Sequence, residues 1–386
     1  MPPTGETGPL HVLVADDRPD VLEAMRLLLK GAGHLADLVD SPQGLLRAAE
    51  AADYDLILMD LNYARDTTSG SEGLDLLGRL HGVANPPPVI VMTAWGNIDL
   101  AVEAMRRGAV DFVQKPWDNQ RLLAMVEKQA REGALRRRAE SRARSEIEIA
   151  RNVQQRLFPA PSRLLASTVY GGRCAPAREV GGDYYDFFDL APGVLGFVLA
   201  DVSGKGIAAA LLMANLQGCF RSQAAIGLDS PRALLGAVNR LFFDSTPPEQ
   251  FATVFFGQYD ERARRLRYVN CGHPAPVVVP REGGAMERLD STATVLGAFR
   301  AWDCEERAIE LAAGDTLVAY SDGVTEAGID GGEEFGEEFG EERLAGILGR
   351  HGHEPVEALL ARVIDAALAA DPVQADDITV LALRAG

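Results

Sequence analysis

The 386-residue sequence has few cysteines and no long apolar run. Its four cysteines are widely scattered, at Cys174, Cys219, Cys271 and Cys304. This spacing excludes a structural zinc motif, which needs closely paired ligands, and predicts no disulfide framework. None of the four is followed by an arginine six positions later, which excludes a cysteine-dependent phosphatase loop. We expect these cysteines to be buried or half-buried small side chains.

Positive charge is also scarce, since 56 acidic residues face 38 basic ones and the formal net charge is -18. Such a balance repels nucleic-acid phosphates and excludes DNA binding as the main activity, but it is compatible with carboxylate-lined cation sites. No apolar stretch is long enough to span a bilayer, and the first residues, MPPTGETGPL, do not have the pattern of a secretory signal. We therefore expect a cytoplasmic protein of two or three domains with no nucleic-acid or membrane partner.

The first 130 residues alternate short apolar runs with segments of helical spacing. This alternation is typical of βαβ units, which form a parallel sheet covered by helices on both faces. The runs are HVLVA (11–15), YDLILMD (54–60), PPPVIVMTA (86–94) and AVDFVQKP (109–116). Polar side chains follow or end these runs, at Asp16, Asp17, Asp60, Thr93 and Lys115. Because the carboxyl ends of parallel strands share one edge of the sheet, we expect these side chains to meet there.

Three carboxylates at one edge are costly unless a hard cation neutralises them, and Mg²⁺ with oxygen ligands suits them. Lys115 could pair with a phosphoryl oxygen, and the Thr93 hydroxyl could donate to another. Asp60 would then be the nucleophile toward a phosphoryl donor.

Residues 10 to 128 resemble the receiver domain of two-component response regulators. The resemblance implies a doubly wound, five-stranded parallel CheY-like fold that binds Mg²⁺ and accepts a phosphoryl group from a sensor histidine kinase. The resemblance implies that Asp16 and Asp17 are the acidic pair, that Asp60 is the phospho-acceptor and that Asn62 is a backbone metal ligand. It also implies that Thr93 is the switch hydroxyl and that Lys115, before Pro116, is the lysine of the site. Phe112 stands at the switch-aromatic position, with ordinary core packing as the alternative. The loop after Asp60 is longer than usual.

Residues 121 to 158 have a helical pattern rich in Arg and Glu. Apolar and small residues recur three or four apart on one face, at Leu135, Ala139, Ala143, Ile147, Ala150, Val153 and Leu157. This pattern favours a signalling helix or a thin dimer seam, with a solvated spacer as the alternative. Gly133 is expected to interrupt the helix and act as a hinge. The arginines at 136–138 are read as a solvated face.

The last 220 residues contain four acidic clusters, each beside a strand-like run or tight turn. They are Asp183 in EVGGDYYDFF, Asp201 in FVLADVSGKG, Asp322 in TLVAYSDGVTEA and Asp376 in ADDITVLAL. The Gly-Lys-Gly after Asp201 is not a nucleotide-binding loop, because Leu199 replaces the first glycine and Gly206 replaces the hydroxyl residue. Carboxylates from four distant segments suffice for a two-ion site that activates water and holds a phosphoryl group, so no protein nucleophile is needed.

Residues 165 to 385 resemble the metal-dependent PPM serine/threonine phosphatases, specifically the SpoIIE and RsbU branch. The phrases GGDYYDFF, ADVSGKG, YSDGVTEA and DDITVL match the four metal motifs of that family in order. The resemblance implies an antiparallel β-sandwich flanked by helices that holds two Mn²⁺ or Mg²⁺ ions. It implies that Asp201 bridges both ions, with the Val202 carbonyl as a backbone ligand. It also implies that Asp322 and Asp376 bind the first ion and that Asp183 acts on the second ion through the coordination shell of that ion.

Other residues near these motifs are interpreted individually. Arg178 could contact phosphate, and Lys205 is either a surface charge or a substrate contact. Asp186 and Asp377 are read mainly as structural carboxylates, and His273 as a turn histidine with a structural hydrogen bond. The tandem EEFG in residues 331–343 is expected to form a solvated acidic loop.

Together these patterns predict a receiver at 1–128, a helical linker at 129–160 and a phosphatase domain at 161–386. Phosphorylation of Asp60 would control dephosphorylation of a phosphoserine or phosphothreonine protein. By resemblance, the substrate would be an anti-sigma-factor antagonist of the STAS type, and the linker would support a homodimer. The alternative is a non-catalytic adaptor whose phosphatase-like fold binds a partner under receiver control.

Overall fold

A computed structural model describes residues 8–63, 71–80, 82, 86–93, 98–160, 162–165, 167–227, 230–327, 337–371 and 373–386. The chain divides into two compact units, residues 1–145 and 146–386. Each unit is an α/β structure of its own.

The first unit contains five strands and the helices that connect them. The strands are β1 (His11–Ala15), β2 (Leu35–Val39), β3 (Leu56–Asp60), β4 (Val89–Thr93) and β5 (Asp111–Gln114). The helices are α1 (Pro19–Gly31), α2 (Pro42–Ala51), α3 (Ser71–Leu80), α4 (Ile98–Arg106) and α5 (Asn119–Gln155), and the last ten residues of α5 belong to the second unit. The sheet has the order β2-β1-β3-β4-β5, and all neighbouring strands are parallel. The predicted doubly wound receiver fold is confirmed.

Both faces of this sheet are covered, so β3 and β4 are buried along their whole length and are apolar up to their last residues, Asp60 and Thr93. Side chains of α1 and of the start of α5 pack on one face, and side chains of α2, α3 and α4 pack on the other. The strand β2 lies at the edge of the sheet and is only half buried. The carboxyl ends of β1, β3, β4 and β5 consequently meet at one edge.

Helix α5 is 37 residues long and continues through Gly133. The prediction that Gly133 interrupts the helix is therefore wrong. A Cβ at this position would lie 2.7 Å from Pro88 Cγ, so the glycine allows a close approach between α5 and the segment before β4. Small size, rather than flexibility, explains this glycine.

The second unit contains two antiparallel sheets. Its strands are β6 (Ser162–Leu165), β7 (Thr168–Ala175), β8 (Tyr184–Ala191), β9 (Val194–Val202), β10 (Ala252–Asp260), β11 (Arg265–Cys271), β12 (Val277–Val279), β13 (Glu287–Arg288), β14 (Arg307–Glu310), β15 (Thr316–Tyr320) and β16 (Ile378–Arg384). One sheet has the order β14-β11-β10-β9-β8, and the other has the order β13-β12-β15-β16-β7-β6. The helices are α6 (Ile207–Ile226), α7 (Pro231–Ser245), α8 (Asp322–Thr325), α9 (Glu337–His351) and α10 (Val356–Ala370).

Three apolar clusters show how these elements are layered. Residues from both sheets, including Tyr185, Phe197, Phe255, Leu317 and Leu381, form one buried cluster between the sheets. A second cluster joins α6 and α7 to the outer face of the β8–β11 sheet, and a third joins α9 and α10 to β12, β15 and β16. The predicted antiparallel sandwich flanked by helices is confirmed.

The tandem EEFG segment differs from its prediction. From Glu337 onward it is the start of α9, so the expectation of a loop is wrong for this part, while its first part lies outside the described residues. Gly340 allows a close approach, since a Cβ there would overlap the Thr325 carbonyl of α8. In the part of the chain that the structure describes, no helix is long and apolar enough to cross a membrane.

Candidate functional site

The first candidate site lies at the carboxyl edge of the parallel sheet. Asp16 and Asp17 follow β1, Asp60 ends β3, and their carboxylate oxygens lie within 4.8 Å of one another. Asp16 and Asp60 are buried, at 0% and 5% exposure. The structure therefore brings together the three carboxylates that the sequence pattern predicts.

Lys115, which follows β5, provides the counter-charge at this edge. Its Nζ lies 2.6 Å from Asp16 Oδ2 and 2.9 Å from Asp60 Oδ2. Burial raises the pKa of Asp60 above its usual value, and Lys115 opposes that rise. A divalent cation bound by Asp16, Asp17 and Asp60 would, like Lys115, lower the pKa of Asp60. The three carboxylates are therefore suited to bind such an ion.

Two further predicted residues border the same edge. Thr93 ends β4 and is 2% exposed, and its carbonyl accepts a hydrogen bond of 2.8 Å from the Lys115 N–H. Asn62 lies two residues after Asp60, and its Oδ1 is buried without a hydrogen-bond partner among the described residues.

Phe112 is 41% exposed on β5, so the alternative of ordinary core packing is wrong for this residue. The long loop after Asp60 lies largely outside the described residues.

The second candidate site begins at the pair of strands β8 and β9. Tyr184 pairs with Ala200, so the next residues outward, Asp183 and Asp201, are neighbours across the antiparallel pair. A Cβ at Gly182 would lie 2.9 Å from the Val202 carbonyl oxygen and 3.6 Å from Asp201 Oδ1. The bare backbone at this glycine therefore lies close against the Val202 carbonyl and Asp201, where a side chain would not fit.

The other sheet contributes Asp322 and Asp376 to the same cluster. Asp322 follows β15 and begins α8, and Asp376 lies just before β16, the neighbour of β15. Ser321 fixes this corner, because its N–H donates to the Thr379 carbonyl at 2.9 Å and its Oγ accepts from the Thr379 N–H at 2.9 Å. Strand order thus brings four carboxylates from distant parts of the sequence to the region where the two sheets meet, although no three of them offer oxygens within 4.8 Å of one another among the described residues.

Electrostatics show that these carboxylates are close enough to repel one another. Burial raises the pKa of Asp201 to about 7, and repulsion from Asp322 and Asp376 adds to the effect. Burial and the neighbouring Asp201 also raise the pKa of Asp183 well above its usual value. Asp183 Oδ2 is buried without a hydrogen-bond partner among the described residues. A buried, unpartnered carboxylate oxygen within such a cluster fits divalent cations with oxygen ligands.

Two basic side chains border the cluster. Lys205 Nζ lies 2.8 Å from Asp376 Oδ2 and donates to the Ala375 carbonyl at 2.9 Å. Arg178 is exposed, and its Nη1 lies 3.6 Å from the position that a Cβ of Gly206 would occupy. Arg178 thus lies next to the turn after Asp201.

Two other residues near the motifs, Asp186 and His273, are buried and hydrogen-bonded, although His273 Nε2 has no hydrogen-bond partner among the described residues. Asp186 is buried and accepts two hydrogen bonds of 2.6 Å from Arg221 and one of 2.8 Å from Tyr184. His273 is buried with its Nδ1 2.8 Å from Thr253 Oγ1, and burial lowers its pKa to about 3. These contacts support the structural interpretations of Asp186 and His273.

Asp377 differs from Asp376 because backbone groups hold it. Its Oδ1 accepts from the Ala177 N–H at 2.8 Å, and its Oδ2 accepts from the Gly182 N–H at 2.7 Å. A Cβ at Gly181 would lie 2.1 Å from the same Oδ2, so this glycine is required for the contact. Asp377 therefore shapes the loop before Asp183, in line with its structural interpretation.

Sequence reasoning missed Gln154, near the end of α5. Its side-chain amide makes two hydrogen bonds with the backbone of Gly181, two residues before Asp183. In the sequence it stands beside Gln155 in a polar helix, and no pattern separates the two.

Comparisons with known proteins identify both units. The Stage II sporulation protein E (SpoIIE) family profile matches residues 191–386, and the response regulator receiver domain profile matches residues 12–127. The chain therefore belongs to the SpoIIE family and contains a receiver domain. It is a response regulator whose second domain is a phosphatase domain of the PPM type.

Individual relatives agree with this assignment. The chain is 29% identical to the phosphoserine phosphatase RsbU of Bacillus subtilis over 244 residues, which cover 62% of this chain and 70% of RsbU. It is 31% identical to the transcriptional regulatory protein FixJ of Bradyrhizobium diazoefficiens over 199 residues, which cover 50% of this chain and 87% of FixJ.

Two solved structures resemble the chain in fold. The RsbU and RsbW domains of a Mycobacterium tuberculosis protein have a TM-score of 0.50 at 25% identity, covering 59% of this chain and 61% of that one. The SiaA-PP2C domain of Pseudomonas aeruginosa has a TM-score of 0.55 at 23% identity, covering 64% of this chain and 98% of that one. At 23% identity, the similarity to the SiaA-PP2C domain shows a shared fold and nothing more.

Proposed function

We propose that this protein dephosphorylates phosphoserine or phosphothreonine on a protein substrate, with a rate set by phosphorylation of Asp60. The observation that carries the proposal is the convergence of Asp183, Asp201, Asp322 and Asp376, with the buried Asp183 Oδ2 unpartnered among the described residues. The similarity to RsbU and to another phosphoserine phosphatase of Bacillus subtilis, RsbP, supports the same activity.

These residues suit two Mn²⁺ or Mg²⁺ ions. Asp201 would lie between the ions with the Val202 carbonyl beside it, Asp322 and Asp376 would hold the first ion, and Asp183 would orient the shell of the second. When bound, the ions supply an activated water and neutralise phosphoryl oxygens. Arg178, beside the Gly204–Gly206 turn, would bind and orient the phosphate of the substrate.

The receiver would accept its phosphoryl group from a sensor histidine kinase. An Asp60 carboxylate oxygen bonds to phosphorus while the bond from phosphorus to the donor histidine nitrogen breaks. Lys115 would pair with the transferred oxygens, and the Thr93 hydroxyl would donate to one of them. Asp16, Asp17, Asp60 and the Asn62 carbonyl would hold Mg²⁺ and screen the approach of the donor.

The substrate and the assembly are further parts of this proposal. We place the receiver at 1–128, the linker at 129–160 and the phosphatase domain at 161–386. A small anti-sigma-factor antagonist of the STAS type, phosphorylated on serine or threonine, would be the substrate. The linker would pair with a second copy through a seam that includes Leu135 and Val153, which are 60% and 58% exposed.

Hydrolysis of a phosphoserine peptide by the full-length protein tests the activity. Wild type, Asp201→Ala and Asp189→Ala are compared with and without Mn²⁺, and Asp189 is an exposed aspartate of β8 outside the cluster. We expect Mn²⁺-dependent turnover in wild type and Asp189→Ala, and a loss of at least a hundredfold in Asp201→Ala. Absence of turnover in wild type would favour the adaptor, and equal turnover in all three would contradict the proposed metal site.

A further inference from the structure

The surface beside the turn after Asp201 carries three exposed apolar side chains. Ile207 begins α6 directly after Gly206 and is 54% exposed, and Leu211, one helical turn further, is 68% exposed. Residues four positions apart are neighbours on a helix surface, so these two side chains form one stripe. Phe251 is 39% exposed beside the same turn. We call Ile207, Leu211 and Phe251 the apolar patch.

Two hydrogen bonds hold Phe251 against the turn. The Ser203 N–H donates to the Phe251 carbonyl oxygen at 2.9 Å, and the Phe251 N–H donates to Ser203 Oγ at 3.0 Å. Ser203 is the second residue after Asp201, so the backbone of Phe251 is fixed close to a residue of the carboxylate cluster. A partner that contacts Phe251 therefore has little backbone to order, which favours affinity.

Helix α6 lacks the charged outer face of an ordinary surface helix. Its inner side packs on the β8–β11 sheet through Met213, Leu216 and Phe220. The segment from 206 to 220 contains no charged residue, in a chain of which 24% of the residues are charged. Single exposed leucines are common on any protein, but exposed apolar side chains grouped where charge is depleted are typical of a protein-binding surface.

The position of the apolar patch indicates what covers it. Arg178, which we propose to bind the substrate phosphate, lies with its Nη1 3.6 Å from the position of a Cβ on Gly206, and Gly206 precedes Ile207. A protein whose phosphoserine enters the cluster beside Arg178 therefore places its neighbouring residues over the turn and over the patch. Apolar neighbours gain most from this contact, because apolar surface then leaves water on both partners.

We propose that the apolar patch is a docking surface for the protein substrate and selects apolar side chains that flank its phosphoserine. This role rests on the proposed phosphatase function. It adds a specificity that the metal cluster and Arg178 would not supply, since both would contact the phosphate group that all substrates share. Apolar contacts in an enclosed pocket discriminate by roughly 10- to 200-fold, and an open patch should give the lower end of that range.

Binding of two phosphonate peptides to the full-length protein with Mn²⁺, measured by fluorescence anisotropy, tests the docking surface independently of turnover. Both peptides carry a phosphonate analogue of phosphoserine, which resists hydrolysis, flanked on each side by leucines in one and by serines in the other. The variants are Leu211→Gln and Ile207→Gln. Ile226→Gln is the matched control, because Ile226 is 66% exposed at the far end of the same helix. Glutamine favours helices about as well as leucine, and thermal unfolding shows whether each variant is folded.

We expect wild type and Ile226→Gln to bind the leucine peptide about tenfold more tightly than the serine peptide. Leu211→Gln and Ile207→Gln should bind the two peptides within about twofold of each other. Equal binding of the two peptides by wild type, or no binding of either, would overturn the proposal. An unchanged preference in folded Leu211→Gln and Ile207→Gln would also overturn it, and a lower molar mass of these variants in light scattering would then show that a second copy of the chain covers the patch.

Hydrolysis of the corresponding phosphoserine peptides by wild type separates this result from the proposed function. A leucine preference in binding without any hydrolysis would contradict the phosphatase activity but support the docking surface. Hydrolysis of both peptides with equal kcat/KM and equal binding would support the activity and overturn the docking surface.

Discussion

Lys205 Nζ lies 2.8 Å from Asp376 Oδ2, which joins the turn after β9 to the segment before β16. This hydrogen bond raises the pKa of Lys205 above its usual value. The ammonium therefore acts as a counter-charge at the edge of the carboxylate cluster. Neither interpretation of Lys205 from the sequence, a surface charge or a substrate contact, includes this role.

Lys205→Met should strengthen metal binding, because removal of a positive charge beside Asp376 lowers the repulsion of an incoming cation. We expect the Mn²⁺ concentration for half-maximal binding to fall by roughly two- to fivefold at low ionic strength, since the side chain is half exposed and salt screens the effect. A titration of wild type and Lys205→Met at two salt concentrations measures this. A higher KM for the phosphopeptide with unchanged Mn²⁺ affinity would show instead that Lys205 contacts substrate.

Asp201→Asn should stabilise the metal-free protein at alkaline pH. The pKa of Asp201 is raised from 3.8 to about 7 in the folded state, so the folded protein binds a proton between these pH values that the unfolded chain does not. Stability of the metal-free wild type should therefore fall as the pH rises from about 4 to about 7. Asparagine cannot ionise, so the variant should lose the part of this dependence that comes from Asp201, while the raised pKa values of Asp183 and Asp322 keep theirs.

Urea unfolding with a chelator, at pH 5 and at pH 8, measures the effect. Asp201→Asn should be more stable than wild type at pH 8, and its advantage should be smaller at pH 5. The same substitution should abolish turnover. A variant less stable than wild type at pH 8 would contradict the burial and mutual repulsion of these carboxylates.

Gly133→Ala should destabilise the first unit although alanine favours helices. In an open helix position this change stabilises by roughly 0.5–1 kcal/mol, but the new Cβ would lie 2.7 Å from Pro88 Cγ. Gly218→Ala is the matched control, because α6 is exposed there and no described atom lies within 4 Å of the new Cβ. Thermal unfolding should show a lower midpoint for Gly133→Ala and an equal or higher one for Gly218→Ala. A higher midpoint in both would show that Pro88 does not constrain the helix.

The sequence predicts the buried strands better than the strand at the edge. The segment LILMD of β3 is apolar up to its final Asp60 because helices cover both faces of the sheet, and it is recognisable for that reason. Strand β2, LADLV, is half exposed and carries Asp37, so its pattern resembles a loop or a helix end. The acidic EEFG segment shows the opposite error, a helix predicted as a loop. Its composition favours a loop, but from Glu337 onward it is helical, and Gly340 lets this helix pack closely against α8.

The candidate site is predictable where its residues end strands. Asp60, Asp201 and Asp322 each follow or close an apolar run, and strand order then brings them together. The residues that hold the ligands in place leave no such pattern. Gln154 reaches Gly181 from a polar helix, and Asp377 differs from Asp376 only through backbone contacts formed in the folded chain.

The rate of phosphoserine peptide hydrolysis before and after treatment with acetyl phosphate tests the central claim most directly. Full-length wild type and Asp60→Asn are compared at one fixed Mn²⁺ concentration. The account predicts that the wild-type rate changes at least severalfold on treatment and that the rate of Asp60→Asn does not. An unchanged wild-type rate despite phosphorylation of Asp60, or an equal response in both proteins, would contradict control of the phosphatase domain by the receiver.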